Sequence, residues 1–386
     1  MRKIALITTS RADYGIQARL IAMLRDDQEI CFTLVVSGSH LSTKHGLTVK
    51  EIENDGISDY IPVDLAIDEE ADVAKIMSRA LTGFSDVLVG LHPDICVLLG
   101  DRYEMLAGAL ACAINGIPVA HIHGGETTAG ANDEIFRHSL TKAAHLHFTS
   151  CEEYRRRVIQ LGESPNRVFN VGALGVENIM SIPLMDRPEV EGKIGVSLGE
   201  RNFLVTYHPV TLEGGSALEQ IREVLSALDE LEGADLFFTR PNADAEGDVI
   251  AKEIDRFVKD RANAHYYTSL GSRLYLSLVK NMDAVIGNSS SGIIEVPSLK
   301  IPTVNIGDRQ LGRIVADSVA NCAPKKDEIV SAVKAVLTDE FRNRVYSSKN
   351  PYEKSGTAEA IVSVLKSFDL HGICKKRFYD IKDFKI

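Results

Sequence analysis

The chain has 386 residues, 45% of them hydrophobic and 25% charged, with a formal net charge of −11. That length is too great for one ordinary core and fits two domains of usual size, and the composition is that of a soluble globular protein. The acidic balance argues against nucleic acid or an anionic membrane as a partner, and no apolar run approaches the length that spans a bilayer. The chain enters a strand at once (Met1-Arg2-Lys3-Ile4-Ala5-Leu6-Ile7), which leaves no room for a signal peptide. Six cysteines are scattered without a CxxC pair, so reduced thiols in a cytoplasmic protein are expected.

In chain order the first half alternates strand and helix patterns. Strands are expected at 4–8, 31–36, 94–99, 117–122 and 146–149, with helical spacing at 15–24, an amphipathic stretch at 71–91 and an apolar helix at 105–114. A further helix follows the polar loop 123–133. The second half repeats the alternation. Strands are expected at 203–207, 235–239, 265–268 and 284–286, and helices at 218–231, 247–259, 273–280, 326–337 and 357–368. Residues 183–199, with two prolines and many charges, show no clear period and read as a connection between the halves. The expected fold is α/β, with two Rossmann-like doubly wound domains facing across a cleft. The expected division is 1–172, 173–360 and a terminal helix with its tail over 361–386.

Ligands of such sheets sit beyond the carboxyl ends of the strands. The polar clusters Thr9-Ser10-Arg11, Ser37–His40, Gly100-Asp101-Arg102 and His121–Glu126 fall at those ends. The first turn, Thr8-Thr9-Ser10-Arg11, lacks GxGxxG, which removes the main support for a dinucleotide site. The second half holds a better anion site, at Gly287-Asn288-Ser289-Ser290-Ser291-Gly292 after a buried strand and before Ile293-Ile294-Glu295-Val296. A helix start offers unpaired N–H groups and the positive end of its dipole, and small residues let a diphosphate come close. Glu295 lies about one turn further on, placed to accept from a ribose diol. The plainer reading is an N-capped helix, which one Asn or Ser would satisfy.

Other residues leave two readings open. Asp101 is an acid/base group or the cap of a following helix. Asp133 and Arg137, four apart, form a surface ion pair or a pair turned to the cleft. His208, before Pro209, donates to phosphate or shuttles a proton. His121 and His123 with Glu126 carry protons; a zinc site there is the minority reading because no further His or Cys lies at suitable spacing. Arg11, Arg102, Arg240, Arg309 and Arg313 are rim candidates for phosphate. The run Tyr154-Arg155-Arg156-Arg157 reads as a solvated helix face.

Together these segments resemble the UDP-N-acetylglucosamine 2-epimerase family, in particular its hydrolysing bacterial branch of sialic-acid pathways. The matching pieces are SRADYG (10–15), GDRYE (100–104), HIHGGE (121–126), DEIFRHSLTK (133–142) and RVIQLGE (157–163). In the second half they are His208-Pro209, PNAD (241–244), GNSSSGIIEVPSLK (287–300) and NIGDRQLGR (305–313). The resemblance implies a glycosyltransferase-B-like fold whose last helix crosses back to the first domain. It implies a UDP-sugar substrate, no metal or other cofactor, and a homodimer or homotetramer. By the same resemblance Ser289, Ser290, Ser291, Gly292 and Glu295 hold phosphates and ribose, Arg313 anchors the nucleotide, and Arg11 and His208 face the diphosphate. Asp101 and Asp133 lie beside the sugar as acid/base groups, Arg137 orients the second, and Asn242 contacts the sugar. Relatives of the non-hydrolysing kind carry Glu where this chain has His123, so the third proton carrier is His123 or Glu126. The implied activity is release of UDP and N-acetylmannosamine through a 2-acetamidoglucal. The same reaction on UDP-2,4-diacetamido-2,4,6-trideoxyglucose, a glycosyltransferase of the same fold, and a nucleotide-sugar sensor without turnover are the competing readings.

Overall fold

The computed structural model describes residues 1–70, 72–127, 133–209, 216–241, 247–268 and 270–382. It divides into two compact units, one of Met1–Glu126, Asn132–Asn178 and Lys354–Ile386, the other of Thr127–Ala131 and Ile179–Glu353.

In the first unit the described strands are β1 (Arg2–Thr8), β2 (Ile30–Ser37), β3 (Tyr60–Val63), β4 (Ile95–Leu99), β5 (Val119–Ile122), β6 (Leu146–Thr149) and β7 (Val168–Asn170). They form a parallel sheet in the order β3-β2-β1-β4-β5-β6-β7. Alternation of side chains lets each inner strand feed two cores. Ile4 and Leu6 join Leu34, Val36 and Val97 on one face, whereas Ala5 and Ile7 join Val35, Cys96, Leu98, Phe84 and Met105 on the other. That is why Ile95-Cys96-Val97-Leu98-Leu99 is apolar throughout. The helix Thr357–Ser367 lays Ala358, Ile361, Val362 and Leu365 into the first of these cores. The Arg2 guanidinium donates to the Leu365 and Phe368 carbonyls at 2.8 and 2.7 Å, filling acceptors that the end of that helix leaves open.

The tail beyond that helix is tied down by a buried carboxylate. Glu163 accepts from His147 Nε2 (3.0 Å), Lys142 Nζ (2.6 Å) and Lys376 Nζ (2.7 Å). Lys376 also donates to the carbonyls of Lys142 and Ala144, at the end of the helix Asp133–Ala143. Burial works against the charge on Glu163, yet these donors bring its carboxyl down to about 2. The resulting stability is present above the ordinary Glu range and fades as pH falls toward that value. Replacing Glu163 by Ala strands the cations and is expected to cost about 3 kcal/mol, read as a lower thermal midpoint.

The second unit holds β8 (Arg201–Thr206), β9 (Ala234–Thr239), β10 (Ala264–Tyr267), β11 (Ala284–Gly287), β12 (Thr303–Ile306) and β13 (Val319–Cys322), parallel in the order β10-β9-β8-β11-β12-β13. Strand order reverses between β1 and β4 in one unit and between β8 and β11 in the other. The loops that follow those strands diverge there, which opens a crevice for a ligand. One expectation is corrected in this unit. Residues 183–199 contain a helix, Arg187–Ile194, started by an Asp186–Glu189 capping box with Pro188 in its first turn and stopped at left-handed Gly195. Its eight residues bury only Val190 and Ile194, too few to show a period. Among the described residues no helix is long and apolar enough to cross a membrane.

Candidate active site

The crevice of the second unit is built on β11. Gly287 leaves that strand at φ +137°, and a Cβ there would run into the Thr206 carbonyl of β8, so only glycine fits. Asn288, fully buried, accepts from the His208 N–H at 2.7 Å and returns a donor to the His208 carbonyl at 2.8 Å. Its own carbonyl accepts from Arg309 Nη1 (3.1 Å) and Gln310 Nε2 (2.9 Å). Asn288 thus joins the loops after β8, β11 and β12, and its side chain is spent on that scaffold.

The serines follow. Ser289 caps the helix Ser290–Ile294, its hydroxyl accepting from the Ser291 N–H, and the Ser291 hydroxyl accepts from Tyr275 Oη at 3.1 Å. Ser289, Ser290 and Ser291 keep partial exposure, whereas Gly292 is buried. A Cβ on Gly292 would lie 2.8 Å from Thr303 Cγ2, so packing on β12 explains that glycine. Glu295 joins this helix to the 3-10 turn Val296–Leu299; burial raises its carboxyl pKa against a hydrogen bond from Ser291. His208 is buried, and desolvation, with the Arg309 charge beside it, pushes its ring down to about 3. The ring is neutral in the free protein. Arg313 lies partly exposed beyond left-handed Gly312. Arg240 pairs at 3.8 Å with Asp248 and stays half exposed. Asn242 lies outside the described residues.

In the first unit the turn after β1 is closed by its own side chain. Asp13, buried, accepts from the N–H groups of Thr9 (3.0 Å) and Ser10 (2.9 Å) and from the hydroxyls of Thr8, Thr9 and Ser10. The Thr9 and Ser10 N–H groups are therefore spent within the turn. Arg11, next to it, is exposed, with Nη1 4.0 Å from Glu51 Oε1.

Asp101 does not cap the following helix. The helix after β4, Tyr103–Ile114, has Arg102 at its N-cap with no side-chain cap bond, and the Asp101 carboxylate accepts a hydrogen bond from Arg137 Nη2. Arg102 turns away onto Glu104, Nη2 to Oε1 at 2.7 Å. The surface ion-pair reading of Arg137 is overturned, because its side chain is 1% exposed. Beside Asp101, its guanidinium donates to Glu134 Oε2 (2.9 Å) and to the Glu126 carbonyl (3.1 Å). Asp133 opens the same helix, partly exposed. The Glu126 carboxylate accepts from Ser150 Oγ at 2.8 Å and lies 3.4 Å from His123 Nδ1. His123 itself adopts φ +67°. Among the described residues no group of three His, Cys, Asp or Glu is arranged to hold a metal ion.

Three contributions escaped the sequence. Glu134 reaches Arg137 at i,i+3 and His138 at i,i+4, spacings that were available but shared by any surface pair. Tyr275 has no signal in its surroundings. The solvated reading of Tyr154–Arg157 fails: Tyr154 is fully buried, Arg155 donates to the Val168 carbonyl, and Arg157 donates to the Gly125 carbonyl at 2.6 Å and lies over the Tyr154 ring. Arg156 alone of these four is mostly in water. This run props the Gly125–Glu126 loop from behind.

Two parallel Rossmann-like sheets, each with polar side chains gathered at its switch point, define a protein of glycosyltransferase-B-like architecture. The solved structure of a UDP-N-acetylglucosamine 2-epimerase from Neisseria meningitidis, bound to UDP-N-acetylglucosamine, superposes with a TM-score of 0.80 over 94% of this chain and 99% of that one, at 17% identity. The family model described as UDP-N-acetylglucosamine 2-epimerase matches residues 22–366, and the chain belongs to that family of enzymes. The polysialic acid biosynthesis protein P7 of Escherichia coli is 42% identical over all of this chain and 97% of its own length. The GDP/UDP-N,N'-diacetylbacillosamine 2-epimerase (hydrolyzing) of Campylobacter jejuni is 38% identical over 98% and 99%.

Proposed function

We propose that this enzyme is a hydrolysing 2-epimerase that converts UDP-N-acetylglucosamine and water into N-acetylmannosamine and UDP. The observation that carries the reading is the Asp101 carboxylate, held by a buried guanidinium at the strand ends of a UDP-N-acetylglucosamine 2-epimerase family member. C2 of the sugar has no neighbouring carbonyl, so its proton is lost together with the C1–O bond to UDP, leaving an enzyme-bound 2-acetamidoglucal. Water then adds at C1 and a proton returns to the opposite face of C2. Acids and bases are needed on both faces, and Asp101, Asp133 and either Glu126 or His123 supply them. In the second unit the diphosphate goes to the Ser289–Ser291 turn, with His208 and Arg313 around it, and the ribose to Glu295. A diphosphate next to the His208 ring would favour its charged form and reverse the shift that burial imposes.

The name of the Campylobacter relative favours a second reading, the same reaction on UDP-2,4-diacetamido-2,4,6-trideoxyglucose. Incubation with each sugar separately and chromatography of the products decides between them. Inert UDP-N-acetylglucosamine overturns the first reading, and UDP release only with an added acceptor overturns both in favour of a glycosyltransferase.

Glu295 gives a pH test. Its raised carboxyl pKa means that the ribose acceptor is lost at higher pH than an ordinary glutamate would be, so its contribution to UDP affinity is expected to fade early as pH falls. In Glu295→Gln the Glu295 part of this dependence should be absent, leaving that of His208, and affinity at neutral pH should be low, by calorimetry. A raised acid opposes folding at pH values above its unfolded pKa, so the same variant is expected to melt higher at neutral pH. Unchanged affinity removes the ribose role.

A further inference from the structure

His121 ends no loop and touches no solvent, yet it sits between the two parts that make the Asp101–Arg137 pair. It lies on β5, next to β4 with His121 opposite Leu98, and is fully buried. Its Nε2 is 2.8 Å from the carbonyl of Gly100, the residue before Asp101. A carbonyl only accepts, so Nε2 carries the proton. Its Nδ1 is 3.1 Å from Thr141 Oγ1, on the helix of Arg137 and one turn beyond it. Burial, with His147, Arg137 and His123 adding positive charge nearby, pushes the ring down to about 3, against the Gly100 bond. The ring is therefore neutral and Nδ1 is an acceptor facing the Thr141 hydroxyl, whose one proton is also in reach of the Arg137 carbonyl at 3.0 Å. Gly124 closes over this contact. A Cβ there would come within 3.0 Å of His121 Nδ1 and 3.1 Å of Thr141 Oγ1.

We propose that His121 is a positioning residue, a neutral ring of fixed tautomer that ties the Gly100–Asp101 turn to the Asp133–Ala143 helix and so sets Asp101 against Arg137. The inference rests on the epimerase reading only for the role of Asp101. Both ring nitrogens are spent within the fold, which excludes His121 as proton carrier and as metal ligand, the two roles its motif invites. The work passes through another residue, so its loss loosens the carboxylate rather than removing a reacting group.

Thr141→Val removes the hydroxyl at constant shape, and His121→Phe removes both contacts. Each is expected to lower kcat about 10- to 100-fold, the scale of a carboxylate displaced by an ångström, with KM within about twofold. The limbs of the pH–rate profile should stay where wild type has them. In an Asp101→Asn background Thr141→Val should cost less than about twofold more, since the group it positions is already gone. Wild-type kcat in Thr141→Val, a pH limb lost in His121→Phe, or full additivity with Asp101→Asn overturns the proposal. A second readout needs no turnover. Imidazole 15N spectra of the wild-type protein should show His121 as an Nε2–H ring that does not titrate from about pH 8 to about pH 5. An Nδ1–H or titrating ring overturns the positioning role, whereas a wild-type enzyme that turns over neither sugar with an intact Nε2–H ring overturns the function alone.

Discussion

Asp101→Asn is expected to lower kcat by about 10²- to 10⁴-fold, the usual worth of a positioned acid or base, while the thermal midpoint stays near that of wild type. Asparagine keeps the shape and an acceptor oxygen for the Arg137 fork, and the carboxylate is 28% exposed, so little of the fold depends on its charge. Asp133→Asn, at the start of the neighbouring helix, is expected to act alike. UDP release measured beside a melting curve checks both. Wild-type rates in the pair would take these carboxylates out of the chemistry, and a collapsed midpoint with Asp101→Asn would make its part structural.

Arg137 carries the larger combined effect. Its guanidinium is buried and bonded to Asp101, to Glu134 at 2.9 Å and to the Glu126 carbonyl at 3.1 Å. Arg137→Met leaves those acceptors facing an apolar chain, and is expected to cost about 3–5 kcal/mol of stability together with at least about 10²-fold in kcat. Arg137→Lys keeps the charge and loses the fork, so it should restore part of the stability and less of the rate. Denaturant unfolding with parallel assays separates the two terms. A Met variant as stable as wild type would mean that the carboxylates are held by something else.

The inner strands could be read from the sequence because both faces of β1, β4, β8 and β11 are covered, which leaves an unbroken apolar run for each. Of the outer strands β10 could also be read, whereas β3, β7 and β13 could not. β3 is Tyr-Ile-Pro-Val at a sheet edge, where Pro62 is tolerated, and β13 is Val-Ala-Asn-Cys without a buried residue. β12, Thr-Val-Asn-Ile, is buried but short, and Asn305 breaks its pattern. The polar residues at strand ends stood out one by one, yet their grouping depends on strand order. Asp101, Glu126 and the Asp133 helix meet because β4, β5 and β6 are neighbours, a fact that no spacing encodes. Within the serine turn the sequence could not tell scaffold from site. Asn288 and Gly292 are accounted for by hydrogen bonding and packing, whereas Ser289–Ser291 and Glu295 keep partial exposure at the turn.

Turnover in heavy water probes the exchange of a hydrogen at C2 directly. The purified enzyme is given UDP-N-acetylglucosamine, and in parallel the diacetamido trideoxy sugar, in deuterium oxide without acceptor, and the freed sugar is examined by NMR. The expected product carries deuterium at C2 with inverted configuration, alongside one equivalent of UDP. Release of a sugar that keeps its original hydrogen at that carbon would contradict the elimination, and with it the roles given to Asp101 and Asp133.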